Sequence, residues 1–321
     1  MTMKLVFLGC GKVARAHAKR LRRHRDDVKL GFASRDPGRA NQFARELGGD
    51  AYDSYEAAMS ANDVDAVAVV TPPASHLPLT LAALEAGKHV ILEKPPLPRA
   101  ADFDAVTAAA ARADRQVFVA ENYHYKPLLR RLRTLLAERV VGDVLFVHIN
   151  AIKKQRASDD WRDDPDLALG GALYEGGIHW IDFMTSMGLS VRRVVGHRPA
   201  LADGKRIERS MLVTFDYAEG AIGTLAYSWE VPSTAKGLRL SKIYGRAGTI
   251  TFETNGLWVF AHGTKTRFYV PGLRDLSGYR AMWADFVRAW KTGEPPLMTL
   301  AQARRDLELV EAAYASAAEV L

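Results

Sequence analysis

The sequence predicts an α/β protein in two parts, a parallel, helix-covered sheet first and then a run of strands closed by helices. Three observations predict it. Near the start, the apolar run Lys4–Leu8 meets Gly9-Cys-Gly-Lys-Val-Ala14 and then a helical pattern to about Arg25. Strand-like and helix-like segments then alternate as far as Ala120. From Val191 to Tyr269 strand-like segments follow one another directly, and two amphipathic helices end the chain.

Each element has a local reason. Lys4–Leu8, Val28–Ala33, Ala66–Val70, His89–Leu92 and Val117–Ala120 are short apolar runs, as a sheet buried on both faces requires. Helical patterns fall between them, near Arg39–Leu47, Ala74–Ala86 and Arg99–Ala113. Lys126–Val141 reads as a surface helix, and Gly170–Asp182 as a glycine-rich helix. Strands are then expected at Val191–Gly196, Arg209–Tyr217, Ala221–Trp229, Leu238–Tyr244, Thr249–Phe252, Leu257–Phe260 and Arg267–Tyr269. Helices near Tyr279–Trp290 and Leu300–Ala315 follow. Met211, Val213, Phe215 and Tyr217 share one face of their strand. On the next strand Leu225, Tyr227 and Trp229 alternate with Ile222, Thr224, Ala226 and Ser228. Neither face is strongly charged, so a sheet covered by helices on one side only leaves a face for a second subunit to bury. A homodimer or homotetramer is expected.

Composition narrows the class. At 321 residues and 48% hydrophobic, the chain is long enough for two modest domains. Its 44 Lys and Arg exceed its 37 Asp and Glu by seven, but the excess is scattered. The local clusters, Lys19–Arg25 and Arg130–Arg133, have apolar residues interleaved on helical patterns, so they read as solvated helix faces and no nucleic-acid partner is expected. One cysteine, Cys10, excludes an intrachain disulfide framework and fits a reducing compartment. No cleavable leader and no apolar run of membrane-spanning length is visible. A cytoplasmic protein without membrane contact is expected.

Gly9-Cys-Gly-Lys-Val-Ala14 has the form G-x-G-x-x-A of a dinucleotide-binding turn. Gly9 permits the tight turn, Gly11 lets backbone approach a pyrophosphate, and Ala14 permits close helix–strand packing. Lys12 and Val13 open the helix whose free N–H groups face the phosphates. The tip of the second strand selects the cofactor. It reads Ala33-Ser34-Arg35-Asp36 with Arg39 beyond, so no carboxylate sits at the tip itself to bind ribose hydroxyls. Ser34, Arg35 and Arg39 favour a 2′-phosphate, hence NADP over NAD, with Asp36 two residues past Ser34 as the feature pulling the other way. Thr71 and Pro72 follow the third of these strands at the sheet's carboxyl edge, where ligands lie. His76 is either a further cofactor contact or a first-turn surface histidine. His89-Val-Ile-Leu-Glu-Lys-Pro95 ends a buried-type strand in two charges, Glu93 and Lys94, at that same edge.

In Gly170–Asp182, Glu175 and His179 stand at i and i+4, one face of a helix. A carboxylate beside an imidazole orients it for proton transfer. A solvated surface pair at this spacing is about as common, and the upstream motifs decide between the two. No cluster has metal-ligand spacing.

With these motifs the chain resembles the glucose–fructose oxidoreductase, inositol dehydrogenase and MocA (Gfo/Idh/MocA) family. Four blocks carry the resemblance in order: GCGKVA at Gly9–Ala14, TPPASH at Thr71–His76, EKP at Glu93–Pro95 and GGALYEGGIHWID at Gly170–Asp182. It covers nearly the whole chain. It implies an N-terminal Rossmann domain with a parallel sheet, residues 1–122, and a C-terminal α/β domain with an open, mainly antiparallel sheet, residues 123–321, for substrate binding and oligomerisation. It implies hydride transfer between NAD(P) and a sugar, polyol or related alcohol. Lys94 is then the group that hydrogen-bonds the reacting oxygen, and His179 the one that exchanges its proton. Asn122 falls near the nicotinamide, and Glu93 beside the cofactor. Tyr123, His124, Trp161 and Arg162 are placed at the substrate, and Glu175 completes a catalytic triad with Lys94 and His179. The family usually carries aspartate where this chain has Glu175, one methylene longer, a change that matters because misplacements near 1 Å cost about a hundredfold in rate.

Two rival activities fit the same fold. An NAD-dependent glycosidase with transient oxidation would turn over no net cofactor. A dinucleotide-sensing regulator would keep the cofactor turn and lose Lys94 and His179, both of which are present here.

Overall fold

The computed structural model describes residues 2–154, 161–201, 207–232 and 238–318. The chain divides into two compact units. One comprises the first 121 residues together with Tyr279–Arg304; the other comprises Asn122–Gly278 and the chain from Arg305 onward. The 1–122 and 123–321 division read from the sequence has a single boundary, whereas here a stretch from the far end of the chain joins the first unit.

The first unit runs β1 (Met3–Leu8), α1 (Lys12–Leu21), β2 (Val28–Ala33), α2 (Pro37–Leu47), β3 (Asp50–Tyr52), α3 (Tyr55–Ser60), β4 (Ala66–Val69), α4 (His76–Glu85), β5 (His89–Leu92), α5 (Asp102–Ala113) and β6 (Val117–Val119). The strands form one parallel sheet in the order β3-β2-β1-β4-β5-β6. Leu5, Val6, Phe7 and Leu8 of β1 are fully buried, as are Ala66, Val67 and Val69 of β4. Both faces of these central strands are therefore covered, which is why they read as unbroken apolar runs rather than alternating ones. The strand order reverses between β1 and β4, and ligands of such sheets bind outside the carboxyl ends of the strands at that switch point. The loops starting at Gly9 and Val70 leave the sheet there.

The second unit contains α6 (Pro127–Ala137), β7 (Val144–Ile152), α7 (Pro165–Ala168), α8 (Ile178–Thr185) and the strands β8 (Val191–His197), β9 (Ser210–Tyr217), β10 (Ile222–Ser228), β11 (Leu240–Gly245), β12 (Gly248–Glu253), β13 (Val259–His262) and β14 (Arg267–Tyr269). These strands form an open sheet in the order β14-β13-β12-β11-β7-β10-β9-β8, antiparallel except where β7 meets β10. On its covered face Val147, Met211, Val213, Phe215, Leu225 and Ile243 are buried. On the other face Phe146, Leu212, Ile222, Leu240 and Phe260 are each 40–47% exposed. The α6 segment, expected as a surface helix, buries Leu128, Leu129, Leu132 and Leu135 along one side.

Two long helices close the chain, α9 (Tyr279–Thr292) and α10 (Leu300–Ala318). In the first unit α9 buries Trp283 and Phe286, with Phe286 stacked on Phe118 of β6 at 5.0 Å. Among the described residues no helix is long and apolar enough to cross a membrane.

Candidate functional site

At the turn after β1, Gly9 has φ +113°, and a Cβ there would meet the Val70 carbonyl oxygen at 3.1 Å. Only glycine holds that turn so close to the next strand's exit. Around Gly11 the space a Cβ would enter is open, so what glycine provides here is room for a ligand. The N-terminus of α1 has no side-chain cap and no acidic residue in its first turn, leaving its amides and positive dipole end to an anion. Ala14 is fully buried, while Lys12 is exposed and Val13 partly so. These residues fit a dinucleotide's phosphates.

At the tip of β2, Ser34 is buried and its Oγ accepts the Asp36 N–H at 3.2 Å. Asp36 caps α2, its Oδ1 accepting from the Gly38 N–H at 2.9 Å. Arg35 and Arg39 are exposed.

The Thr71 and Glu93 loops are joined through His76. This ring is 1% exposed, so it is not a surface histidine. Its Nε2 lies 2.9 Å from the Thr71 carbonyl and its Nδ1 2.8 Å from that of Pro95. Burial lowers its pKa, against the carbonyl contacts that raise it. Ser75 Oγ donates toward Thr71 Oγ1 or the Pro72 carbonyl, stiffening the same turn. Glu93 is buried, with one oxygen 2.7 Å from His17 Nε2 and the other accepting the Lys94 N–H at 2.9 Å. Lys94 is partly exposed, and the Lys94–Pro95 peptide is cis.

In the second unit the Gly-rich segment is not a plain α-helix. Leu173–Gly177 forms a π turn that runs into α8, and such turns gather at functional sites. From Gly171 to Met184 every residue is buried except His179. Tyr123 lies flat on the His179 ring, centroids 4.4 Å apart and planes within 13°. Lys126 Nζ sits 4.4 Å from the Tyr123 centroid and donates to the Leu276 carbonyl. His124 Nδ1 is 2.9 Å from Asp182 Oδ1, tying the 3₁₀ turn Asn122–Tyr125 to α8. Asn122 donates to the Ser277 carbonyl. Glu175 accepts from Arg162 Nε at 3.1 Å, and the Arg162 guanidinium stacks 4.5 Å over Trp161. The structure thus groups Tyr123, Trp161, Arg162, Glu175 and His179 around one segment.

Several residues that shape this segment escaped the sequence reading. Glu208 and Tyr314 satisfy its leading amides from outside. The Leu173 N–H goes to Glu208 Oε1 at 2.8 Å, Ala172 N–H to the Glu208 carbonyl, and Tyr174 N–H to Tyr314 Oη at 3.1 Å. Tyr314 in turn donates to Glu208 Oε1. A Cβ on Gly171 would overlap the Glu208 carboxylate, and one on Gly176 would lie 2.2 Å from the Tyr227 hydroxyl. Gly171 and Gly176 therefore leave room for Glu208 and Tyr227. Burial pushes the Glu208 carboxyl up to about 7 and the Tyr227 hydroxyl upward too, the latter helped by Glu175. No local spacing ties Glu208 or Tyr314 to residues so far away in sequence. Among the described residues no metal-binding group of side chains is present.

The profile described as "Oxidoreductase family, NAD-binding Rossmann fold" matches residues 3–121, and "GFO/IDH/MocA C-terminal domain" matches residues 129–251. The D-xylose 1-dehydrogenase (NADP(+)) 2 of Haloferax volcanii is 29% identical over 89% of this chain and 88% of its own. The dTDP-3,4-didehydro-2,6-dideoxy-alpha-D-glucose 3-reductase of Streptomyces violaceoruber is 33% identical over 69% of this chain and 64% of its own. Among solved structures, GenD2 from gentamicin A biosynthesis, in complex with NAD, superposes with TM-score 0.86 at 25% identity, covering 100% of this chain and 95% of that one. An oxidoreductase domain protein from Kribbella flavida gives TM-score 0.89 at 22% identity, over 100% and 98% of the two chains.

Proposed function

Because this chain belongs to the Gfo/Idh/MocA oxidoreductase family, we propose that it is an NAD(P)-dependent dehydrogenase or reductase acting on a sugar, polyol or related alcohol. The observation that carries the reading is the Gly-rich segment, where His179 alone breaks a buried run and Tyr123 stacks on its ring. One imidazole presented on a rigid, otherwise buried helix suits proton exchange with a substrate hydroxyl.

The bound nicotinamide supplies hydride acceptance and donation. In the oxidation direction His179 takes the hydroxyl proton while Lys94 donates a hydrogen bond to the oxygen that becomes the carbonyl. Glu175 holds Arg162 against Trp161, a guanidinium–aromatic surface suited to hydroxyl recognition on a sugar ring. Tyr123 and His124 belong to the same substrate-facing set, with His124 acting through Asp182. Gly9, Gly11, Lys12, Val13, Ala14, Thr71, Pro72 and Asn122 are assigned to the cofactor. His76 and Glu93 shape the loops beside it.

NADP is preferred over NAD. Asp36 is committed to capping α2 while Arg35 and Arg39 are exposed, which supports a 2′-phosphate site. The relative from Haloferax volcanii is named for NADP(+) as well. Residues 1–122, joined by Tyr279–Arg304, serve the cofactor, and the rest of 123–321 the substrate and the subunit interface, in a cytoplasmic homodimer or homotetramer without a nucleic-acid partner. The apolar residues on the uncovered sheet face support that interface. The decisive experiment supplies NADP⁺ or NAD⁺ with a panel of aldoses, polyols and inositols and follows reduced nicotinamide. Net reduction with at least one sugar-like alcohol is expected. Substrate hydrolysis without net reduction would replace this reading with the glycosidase one, and no conversion with any panel member would remove it.

A further inference from the structure

Lys94 is anchored through its motif neighbour Glu93 and, behind it, two residues that no motif assigned, His17 and Trp283. His17, on α1, is 1% exposed and lies among Phe7, Tyr279 and Trp283, with the Trp283 ring edge-on at 5.5 Å. The Trp283 indole N–H donates to His17 Nδ1 at 3.1 Å. An indole nitrogen only donates, so Nδ1 carries the lone pair and the proton of the neutral ring resides on Nε2. That N–H then points at Glu93 Oε1, 2.7 Å away. The other carboxylate oxygen receives the Lys94 backbone N–H at 2.9 Å. The donors converge on Glu93: indole donates to imidazole and imidazole to carboxylate, while the Lys94 amide donates into the same carboxylate from the other side.

Across the same loop the Pro95 carbonyl faces His76 Nδ1 of α4 at 2.8 Å. The backbone on one side of Lys94 is therefore held by Glu93, backed by His17 of α1, and on the other by His76 of α4. Each member of the chain is buried, with Glu93 at 6% and Trp283 at 1% exposure. Hydrogen-bonded groups in such surroundings hold their geometry closely, because an unmade bond there is costly.

We propose that Trp283, His17 and Glu93 form a positioning relay for Lys94, in which Trp283 selects the His17 tautomer and so directs Glu93 to fix the lysine's backbone. The inference rests on the reading that assigns Lys94 to the reacting oxygen. It explains why the residue before the lysine is a carboxylate rather than an amide. Both oxygens of Glu93 must accept, and Glu93→Gln would turn a donor against either His17 Nε2–H or the Lys94 N–H.

Two measurements test it. The first reads the tautomer of the intact protein from imidazole ¹⁵N shifts: His17 should show an unprotonated Nδ1 and a protonated Nε2, and the opposite tautomer overturns the relay without reference to any substrate. The second compares Trp283→Phe, Glu93→Gln and Lys94→Ala in steady-state kinetics on the alcohol identified by the panel. Trp283→Phe keeps an aromatic ring and removes the N–H. It should lower kcat several-fold while KM and NADP affinity stay within twofold, a split that general loosening of the fold would not give. Glu93→Gln should lower kcat by roughly ten- to a hundredfold, the scale of a small misplacement. If Lys94→Ala is inactive while Trp283→Phe and Glu93→Gln both keep wild-type kcat, the relay fails and the role of Lys94 stands. If Lys94→Ala itself keeps wild-type kcat, the role of Lys94 fails first.

Discussion

Arg35, exposed at the tip of β2, is the residue on which cofactor choice is most open to test. Losing one charge-assisted phosphate contact costs on the order of 1.5–3 kcal/mol, so Arg35→Ala should weaken NADP by about that much and leave NAD nearly unchanged. Titration of both cofactors into wild type and variant checks this, and equal losses would overturn the NADP assignment. His179→Ala should reduce kcat by roughly 10²–10⁴-fold, the usual worth of a general base, with NADP affinity nearly constant by the same titration. Lys94→Ala should be at least as damaging. Glu175→Asp withdraws the carboxylate from Arg162, which it meets at 3.1 Å, so kcat on the true substrate should fall; an unchanged or higher value would show that the longer side chain is not tuned. Much of this was legible in the sequence. Glycines at fixed offsets after a strand, a lysine at a strand end and a histidine in a glycine-rich helix each carry their chemistry locally. The partners of Glu93 and His76 were not legible, because their bonds reach residues placed beside them only by folding.

At the scale of the element, the π turn Leu173–Gly177 and its external clamp are where pattern reading fell short. Glu175 and His179 at i and i+4 suggested a regular helix, and the sequence marks a helix widened by one residue no differently. Nor does the pattern show that Glu208 and Tyr227 occupy the room left by Gly171 and Gly176. The sequence marks neither β7, which opens on four consecutive apolar residues without alternation, nor β3, which is short and partly exposed. The clamp has a pH signature. Burial raises the Glu208 carboxyl from its ordinary 4.5 to about 7. Between those values the folded state holds a proton that the unfolded chain has released. This group's contribution is thus fully present below about 4.5 and lost as pH rises through 7, a change on the order of 3 kcal/mol. Denaturant melts at pH 4.5 and 8 should show this loss in the wild type, and Glu208→Gln should remove most of it. An identical pH slope in the variant would show that another group is responsible.

For the whole molecule, the open sheet makes a prediction about assembly. Phe146 and Ile222 sit opposite each other in the β7–β10 register, 45% and 47% exposed. Sedimentation at low micromolar concentration should show at least a dimer. Ile222→Asp should shift it toward monomer by placing a charge on the face to be buried, and a monomeric wild type would end the idea. The alternation of strands and helices made the parallel sheet legible except for its edge strand β3. That Tyr279–Arg304 belongs to the first unit was not legible, since an amphipathic helix states only that it has a face to cover and not whose.

That return of α9 bears on the order in which the protein matures during its synthesis. Domains generally fold as units from the N-terminus as the chain emerges. Here Phe118 and His17 wait for Phe286 and Trp283, which leave the ribosome only after the whole second sheet has been made. The second unit's sheet is complete at Tyr269, so it has its strands in hand before the nascent first unit can seal. A nascent chain arrested before Tyr279 would carry an open apolar seam along its first unit. It should depend on chaperones and resist binding cofactor until translation passes the last helices.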